Sequence, residues 1–471
     1  MSHIQYKKIA VIGFGVSGKS IAQYFLKNNV EVDVYEDKNT KEFDTDSVQI
    51  FLENKSFRIY FSDSDYSFDI SQYDVIVASP GVPLTHKIII EAQKNNIEYI
   101  TDINLFVRLF RKKYPQGKII SVTGSNGKST TVSIMHEGLK AQGLDVYLGG
   151  NIGVSPLDFI NTIKTNKPYI ILETSSYQLE YLKESDYFDV ACILNLSDNH
   201  LNRYKGSKKL YAKAKLGGID YQKTITLLNF DDEYTRKYIM TQIKSNTVLG
   251  IQFETNDLYD VITFENNKII YKGEEDFVYV DNVSDIKLIG EHNIYNLAFV
   301  CGVMHVLGIM PNKSFQNAIN NFSGLIHRIQ YVASIKNVIY INDSKSTSPD
   351  ATIKAIHTIS SDNKNIILIS GGNDKDISYE NMRECWDLYV KSLILLPGDA
   401  NKKLKDLANK SNVNIVNEVN TMQDAVEAAF KEAKEEDVVL LSPATDSHAS
   451  FYSFEDRGNQ FIQCVQKLKN Q

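Results

Sequence analysis

The chain has 471 residues, 43% of them hydrophobic and 23% charged, a balance ordinary for globular protein. Its formal net charge of -7 argues against nucleic acid as the main partner, because a phosphate footprint needs concentrated Lys and Arg. The four cysteines, Cys192, Cys301, Cys385 and Cys464, have neither metal-ligand nor redox spacing and form no disulfide framework, so a reducing cytoplasm is expected.

The segment from Met1 to Lys8 has no signal-peptide core and leads into an apolar strand over Lys8–Ile12. Gly13-Phe-Gly-Val-Ser-Gly18 follows, then a helical pattern through Leu26 and a strand over Glu31–Tyr35. Such a loop sets a diphosphate at a helix N-terminus, and Asp37 and Lys38 sit where a ribose or base is read. Alone, it is equally a packing turn between strand and helix. Asp74–Ala78 is a further strand, ending in Ser79-Pro80-Gly81-Val82-Pro83. A basic, turn-rich stretch from Arg111 to Gly117 marks the first boundary.

The strand Lys118–Val122 then runs into Gly124-Ser125-Asn126-Gly127-Lys128-Ser129-Thr130, which opens a helix. Small residues there let several backbone N–H groups converge on one point, and the helix N-terminus adds partial positive charge. Lys128 can reach the β- and γ-phosphates of ATP, and the Ser129 hydroxyl can ligate Mg²⁺. Val122 stands where the general motif has its first glycine, so the loop is a shortened form. Tyr169–Leu172 is an apolar strand that delivers Glu173 to its carboxyl end, where ligands sit in open α/β sheets. Val190–Leu196 is another strand, and Thr224 to Val283 reads as strands and turns. The apolar stretch Ile294 to Met310 is shorter than the roughly 20 residues of a bilayer span and is read as a buried helix.

The second boundary falls near Phe322-Ser-Gly-Leu325. Beyond it, strands at Val338–Ile341, Ile366–Ile369, Ser392–Leu396 and Val438–Leu441 alternate with helical segments, which implies a parallel sheet. The chain is thus read as three α/β domains, 1–113, 114–323 and 324–471.

The loop Thr123 to Thr130 resembles that of the Mur ligases, ATP-dependent amide ligases of peptidoglycan precursor synthesis. Further segments agree in order: Glu173 to Gln178, Asn195 to Tyr204 with Tyr211 to Lys215, Gly290 to Asn293 with Asn296, His327-Arg328, and Asp343 to Thr347. Coverage runs from Gly13 to Gly458. Within the family, Gly149 to Gly153, Gly371 to Lys375, and Leu441 to Ala444 leading to Phe454–Gly458 are similar to the members that add D-glutamate to UDP-N-acetylmuramoyl-L-alanine. Three departures stand out. Asn199 replaces the usual Asp before His200, Lys38-Asn39 replaces Thr-Arg, and Thr445 to Ser450 replaces Cys-Ala-Ser with an aromatic after it.

The resemblance implies a Rossmann-like UDP-binding domain, a central P-loop ATPase-like domain and a C-terminal Rossmann-like domain. It implies that Lys128, Glu173, His200 and Lys215 are catalytic, with Ser129, Glu173, His200 and a CO₂-carbamylated Lys215 holding two Mg²⁺ ions. A carbamate needs a neutral amine first, so burial or nearby cations should lower the pKa of Lys215. Asn293, Arg328 and Asp343 are implied contacts of adenine, γ-phosphate and ribose, beside the loop Gly124–Thr130. Gly15, Val16, Ser17, Asp37, Lys38, Ser79, Gly81 and Asn151 are implied for the UDP substrate, and Lys345, Thr347, Lys375, Ser447 and Phe454 for the amino acid. The implied partners are small molecules, without nucleic acid or membrane, and the implied state is a monomer.

Other readings explain less of the chain. A nicotinamide-dependent oxidoreductase rests only on Gly13–Gly18 and leaves Gly124, Glu173 and the third domain unexplained. A non-catalytic nucleotide-binding scaffold is favoured by Asn199 alone. Folylpolyglutamate synthase lacks such an N-terminal domain, and a Mur-type ligase using another amino acid such as L-glutamate is the nearest alternative.

Overall fold

The structure is a computed structural model that describes residues 6–40, 48–63, 68–152, 154–197, 201–243, 247–254, 260–288, 290, 292–360, 364–374, 377–411 and 413–469. Two compact units form: Met1–Val283 with Ile294–Ile319, and Ser284–Asn293 with Asn320–Gln471.

The first unit holds two sheets. One contains β1 (Lys8–Ile12), β2 (Glu31–Glu36), β3 (Phe57–Phe61), β4 (Val75–Ala78) and β5 (Glu98–Ile100), all parallel, in the order β3-β2-β1-β4-β5. Ile9 to Ile12 and Val75 to Ala78 are buried, as a sheet covered by helices on both faces requires. The order reverses between β1 and β4, which places the Gly13–Gly18 loop and Ser79–Pro83 at the switch point where open sheets bind ligands.

The second sheet contains β6 (Lys118–Thr123), β7 (Val146–Gly150), β8 (Tyr169–Glu173), β9 (Val190–Ile193), β10 (Ile225–Asn229), β11 (Val248–Ile251), β12 (Val261–Glu265), β13 (Lys268–Lys272) and β14 (Phe277–Val280). Its order is β14-β13-β12-β11-β10-β9-β6-β8-β7. The strands are parallel up to β12 and antiparallel through β12–β13–β14, so the stretch after Thr224 first prolongs the parallel sheet and only then becomes hairpins. Here the switch lies at β6, between β9 and β8. Val122 is a buried residue inside β6, paired with Glu173 and Cys192. It belongs to the sheet rather than the loop, and no glycine is needed there.

The two sheets of this unit share one apolar core. The helix Asp102–Lys113 supplies Ile103, Phe106, Val107 and Phe110, which pack with Ile9 and Val77 of the first sheet and Ile119 and Ile170 of the second. Each such buried side chain contributes about 1.5–3 kcal/mol. The expected boundary at 113/114 lies at the end of this helix, which packs on both sheets of one compact unit. The polar end of that helix is also tied down. Asn104 Oδ1 accepts from Thr101 N at 2.9 Å, and its amide donates to Asp186 Oδ2 at 2.8 Å. The helix His292–Val306 buries Leu297 to Met304, as the apolar run implies. Among the described residues no helix is long and apolar enough to cross a membrane.

The second unit is built on β15 (Gln330–Ile335), β16 (Val338–Asn342), β17 (Ile366–Ser370), β18 (Val390–Leu395), β19 (Asn414–Glu418) and β20 (Val438–Leu441). Their order is β15-β16-β20-β17-β18-β19, parallel except for β15. β20 sits between β16 and β17, so the loops after these three strands gather at one edge.

Candidate functional site

In the first unit the phosphate loop joins β6 to the helix Lys128–Ala141. Gly127 holds φ +83° at the N-cap, and a Cβ there would collide with Asn296 Oδ1, so both conformation and space demand glycine. The rest of the loop is tied to the end of β9. Ser125 N donates to Asn195 O at 3.0 Å, and Asn126 N donates to Asn195 Oδ1 at 2.9 Å. Ser125 Oγ accepts from Ser197 N at 2.8 Å and lies 3.2 Å from the Tyr211 hydroxyl. Lys128 curls over its own loop, donating to Gly124 O at 2.9 Å and Ser125 O at 3.1 Å. Ser129 and Thr130 are half-buried on the first turn.

Glu173 ends β8 beside this loop and is buried. Asn151 holds it twice: its N–H donates to Glu173 O at 2.8 Å, and its side-chain amide donates to Glu173 Oε1 at 2.9 Å. Glu173 Oε2 is buried, and among the described residues it has no hydrogen-bond partner. An unpaired buried carboxylate oxygen is costly and is what a hard cation would satisfy. Among the described residues, no three His, Cys, Asp or Glu side chains cluster as a ready metal site. Among the described residues, a metal there would draw on Glu173 together with donors of other kinds, such as the Ser129 hydroxyl.

Lys215, the last residue of the helix Lys208–Lys215, is 2% exposed. Its Nζ donates to Thr123 Oγ1 at 3.3 Å and lies 4.7 Å from the centre of the Tyr211 ring. Burial, and then the charge of Lys128, push its pKa well below the usual lysine value. His200 and Asn199 lie outside the described residues.

The glycine loop after β1 has a different set of partners. Phe14 N donates to Glu36 Oε2 at 2.8 Å, and Ser79 Oγ donates to Gly13 O at 2.9 Å. The acid that touches the loop is thus Glu36, one residue before the Asp37 that the spacing suggested. Asp37 is exposed and pairs with His86 Nε2 at 3.5 Å, and Lys38 is exposed with its N–H donating to Glu36 Oε1 at 3.2 Å. Gly15 caps the helix Val16–Lys27 without a side-chain bond, so backbone N–H groups of Gly15, Val16 and Ser17 lie at an open helix end. The Ser17 side chain bonds to buried Asp102, whose pKa burial raises.

Arg203 has no individual role in the sequence motifs. Its guanidinium donates to Gly81 O and Val82 O, each at 2.8 Å, pairs with Glu180, and lies 4.2 Å from the centre of the Tyr177 ring. It ties the loop after β4 to the segment that follows position 200. Its place between His200 and Tyr204 was the available signal.

In the second unit, Asp343 follows β16 and is buried. It accepts from Ile329 N at 3.2 Å and Ser442 Oγ at 2.8 Å. Burial pushes its pKa up to about 6, against the opposing pull of Ser346 and Ser442. Arg328 is exposed on a tight turn in which His327 and Ile329 both hold positive φ, 63° and 44°. Lys345 is exposed, with Nζ 5.8 Å from the centre of the Phe454 ring, and Phe454 meets His327 edge-on at 6.2 Å. Thr347 is half-buried on the same loop, and Ser447 is buried after β20. Asn293 is half-buried near Gly290, whose carbonyl accepts from Asn293 N at 3.0 Å. Lys375 lies outside the described residues.

Three family models match the chain: "Mur ligase MurD-like, N-terminal domain" over residues 7–101, "Mur ligase middle domain" over 122–304, and "Mur ligase, glutamate ligase domain" over 327–445. The UDP-N-acetylmuramoylalanine--D-glutamate ligase of Caldicellulosiruptor saccharolyticus is 36% identical over 469 residues, spanning 98% of this chain and 99% of its own. The enzyme of that name from Clostridioides difficile is 32% identical, spanning 98% and 99%. Among solved structures, the UDP-N-acetylmuramate-alanine ligase of Thermotoga maritima covers 98% of this chain and 100% of its own with a TM-score of 0.53. A UDP-N-acetylmuramoyl-L-alanyl-D-glutamate--2,6-diaminopimelate ligase covers 84% and 92% with a TM-score of 0.57. At 17% and 16% identity these two bear on the fold alone.

Proposed function

Because the chain belongs to the Mur ligase family, we propose that it joins D-glutamate to UDP-N-acetylmuramoyl-L-alanine, spending ATP through an acyl phosphate. The observation that carries this reading is the gathering of the phosphate loop, Glu173 and Lys215 around the carboxyl ends of β6 and β8. A carboxylate is a poor electrophile. Its attack on the γ-phosphorus breaks the bond to ADP and creates a good leaving group. The amine of the amino acid then adds to the carbonyl carbon, loses a proton, and phosphate departs. The protein's tasks are positioning and neutralisation of crowded negative charge.

Lys128 and the backbone N–H groups of the loop hold the phosphates. Mg²⁺, when bound, supplies further neutralisation of phosphate charge, and Ser129 and Glu173 are the described residues suited to hold it; orphaned Glu173 Oε2 supports this. His200 and Lys215 complete the proposed set for two ions. The low pKa of Lys215 supports carbamylation. The neutral amine adds to CO₂, an N–C bond forms, and one proton leaves, which turns a cation into an anionic oxygen donor.

Asn293, Arg328 and Asp343 are assigned to adenine, γ-phosphate and ribose; Arg suits the phosphate because its fork pairs with two oxygens. Gly15, Val16, Ser17, Ser79 and Gly81 are assigned to the UDP substrate, with Glu36 beside Asp37 and Lys38. Asn151 is assigned there too, although its side chain is shared with Glu173. Lys345, Thr347, Lys375, Ser447 and Phe454 are assigned to the amino acid. The domains are set at 1–113, 114–323 and 324–471, and the enzyme is assigned to the cytoplasm as a monomer. The test is phosphate release from ATP with UDP-N-acetylmuramoyl-L-alanine. Release with D-glutamate but not L-glutamate supports the reading, and the reverse preference overturns the amino-acid assignment.

A further inference from the structure

Among the described residues, Arg457 is the one charged side chain in the group of largest fully buried ones, with 0% exposure. It lies on the first turns of the helix Phe454–Lys469. Its Nε donates to Ser344 Oγ at 3.0 Å, Nη2 donates to Ser344 O at 2.9 Å, and Nη1 reaches Asp446 O at 3.5 Å. Burial brings its pKa down to about 10, so it stays charged at neutral pH. One guanidinium therefore bonds both the loop after β16, which carries Lys345 and Thr347, and the loop after β20, which carries Ser447.

The same turns make further bonds to the first loop. Ser344 Oγ donates to Phe454 O at 2.8 Å, and Asn342 Nδ2 donates to Gly458 O at 3.3 Å. A side chain at Gly458 would collide with His327, so the helix sits hard against the turn that carries Arg328. Asn373 and Asp446 exchange backbone bonds of 3.2 Å, which brings the loop after β17 into register with the loop after β20.

Enclosing a cation costs several kcal/mol, and an apolar side chain of similar volume commonly fills such a space with no loss of stability. Packing therefore gives no reason for Arg at this position. The planar fork does give one, because it fixes two separate loops at a set distance and angle. We propose that Arg457 is a positioning residue of the amino-acid subsite, setting the spacing between Lys345 and Thr347 on one loop and Ser447 on the other so that both meet the incoming dicarboxylate. The inference rests on the assignment of those three residues to the amino acid.

The test is steady-state kinetics of the full-length wild type, Arg457→Met and Ser344→Ala, with D-glutamate, ATP and the UDP substrate varied in turn. Met keeps the volume and removes the fork, whereas Ser344→Ala keeps the fork and removes one acceptor. The expected result for Arg457→Met is a KM for D-glutamate raised about tenfold or more. The other two KM values should stay within about twofold, and the melting temperature should hold. Ser344→Ala should move the same KM in the same direction by less. An unmoved KM for D-glutamate in folded Arg457→Met, or an equal rise in all three, would overturn the proposal. If Arg457→Met does not fold, the same comparison in Ser344→Ala decides, and failure of both to fold would make the clamp a scaffold contact. A wild type that releases no phosphate with D-glutamate refutes the functional reading instead.

Discussion

Asn151 donates its side-chain amide to Glu173 Oε1 at 2.9 Å, while Oε2 of the same carboxylate is buried and unpaired. One oxygen is thus fixed by Asn151, and among the described residues nothing hydrogen-bonds the other. The carboxylate is oriented before any cation arrives, which lowers the ordering cost of binding one.

Glu173→Gln should raise the Mg²⁺ concentration for half-maximal rate by about tenfold or more, because a neutral amide replaces an anionic donor. The melting temperature should hold or rise, since a buried charge is removed. Mg²⁺ titration of phosphate release, beside thermal unfolding, checks both. An unchanged Mg²⁺ requirement would remove Glu173 from the metal set.

Lys128→Ala should lower ATP-dependent phosphate release by about 10²–10³-fold, the usual cost of losing a preorganised cationic donor in phosphoryl transfer. The substitution should also raise the pKa of Lys215, because the charge of Lys128 is one of the two causes of its depression. Retained activity would contradict the assignment of the loop.

Lys215→Ala should lose about 10²-fold or more in kcat and recover part of it with acetate or formate, which replace the carboxylate-like donor. In the wild type, the low pKa of Lys215 keeps the amine neutral to lower pH than an ordinary lysine. As pH falls through that lowered value, the amine protonates and the carbamate is lost. The folded protein binds fewer protons at this group than the unfolded chain, so its contribution to stability rises with pH up to the ordinary lysine range. Activity measured against pH, with and without added bicarbonate, checks the sign; bicarbonate should help most on the acid side.

Asp343 should give ATP binding an acid limb near its pKa of about 6. Below that pH the carboxyl is protonated and loses acceptor strength toward a ribose hydroxyl, so KM for ATP should rise. Asp343→Asn should have a higher KM for ATP at pH 8 and lack this step. The raised pKa also has a stability cost. Below the ordinary 3.8 both folded and unfolded states are protonated and the cost is absent. It grows as pH rises, reaching about 3 kcal/mol above pH 6. Denaturant midpoints of wild type and variant between pH 4 and 8 should therefore converge at the acid end.

The parallel sheets were legible because strands buried on both faces are nearly continuous apolar runs, as in Ile9–Ile12 and Ile366–Ile369. The phosphate loop and Glu173 were legible for the same reason: each lies at the end of such a run. Short strands such as Glu98–Ile100 carry too few apolar residues to register. Glu36 was missed because two acids stand side by side, and only the pleat of β2 decides which one faces the glycine loop. Arg457 and Arg203 stand inside the family-like segments Phe454–Gly458 and Asn195–Tyr204, but nothing in the sequence gives either an individual role. Their roles depend on distant carbonyls that meet them only after folding, at Ser344 and Asp446 for one and at Gly81 and Val82 for the other.

The central claim is that an acyl phosphate forms on the UDP substrate's carboxylate. The most direct measurement uses substrate with both carboxyl oxygens labelled with ¹⁸O, incubated with enzyme, ATP and D-glutamate, followed by mass analysis of the released phosphate. Each phosphate should carry one ¹⁸O, taken when the carboxylate attacked the γ-phosphorus. Unlabelled phosphate, with both labels left on the sugar-nucleotide substrate, would contradict the account.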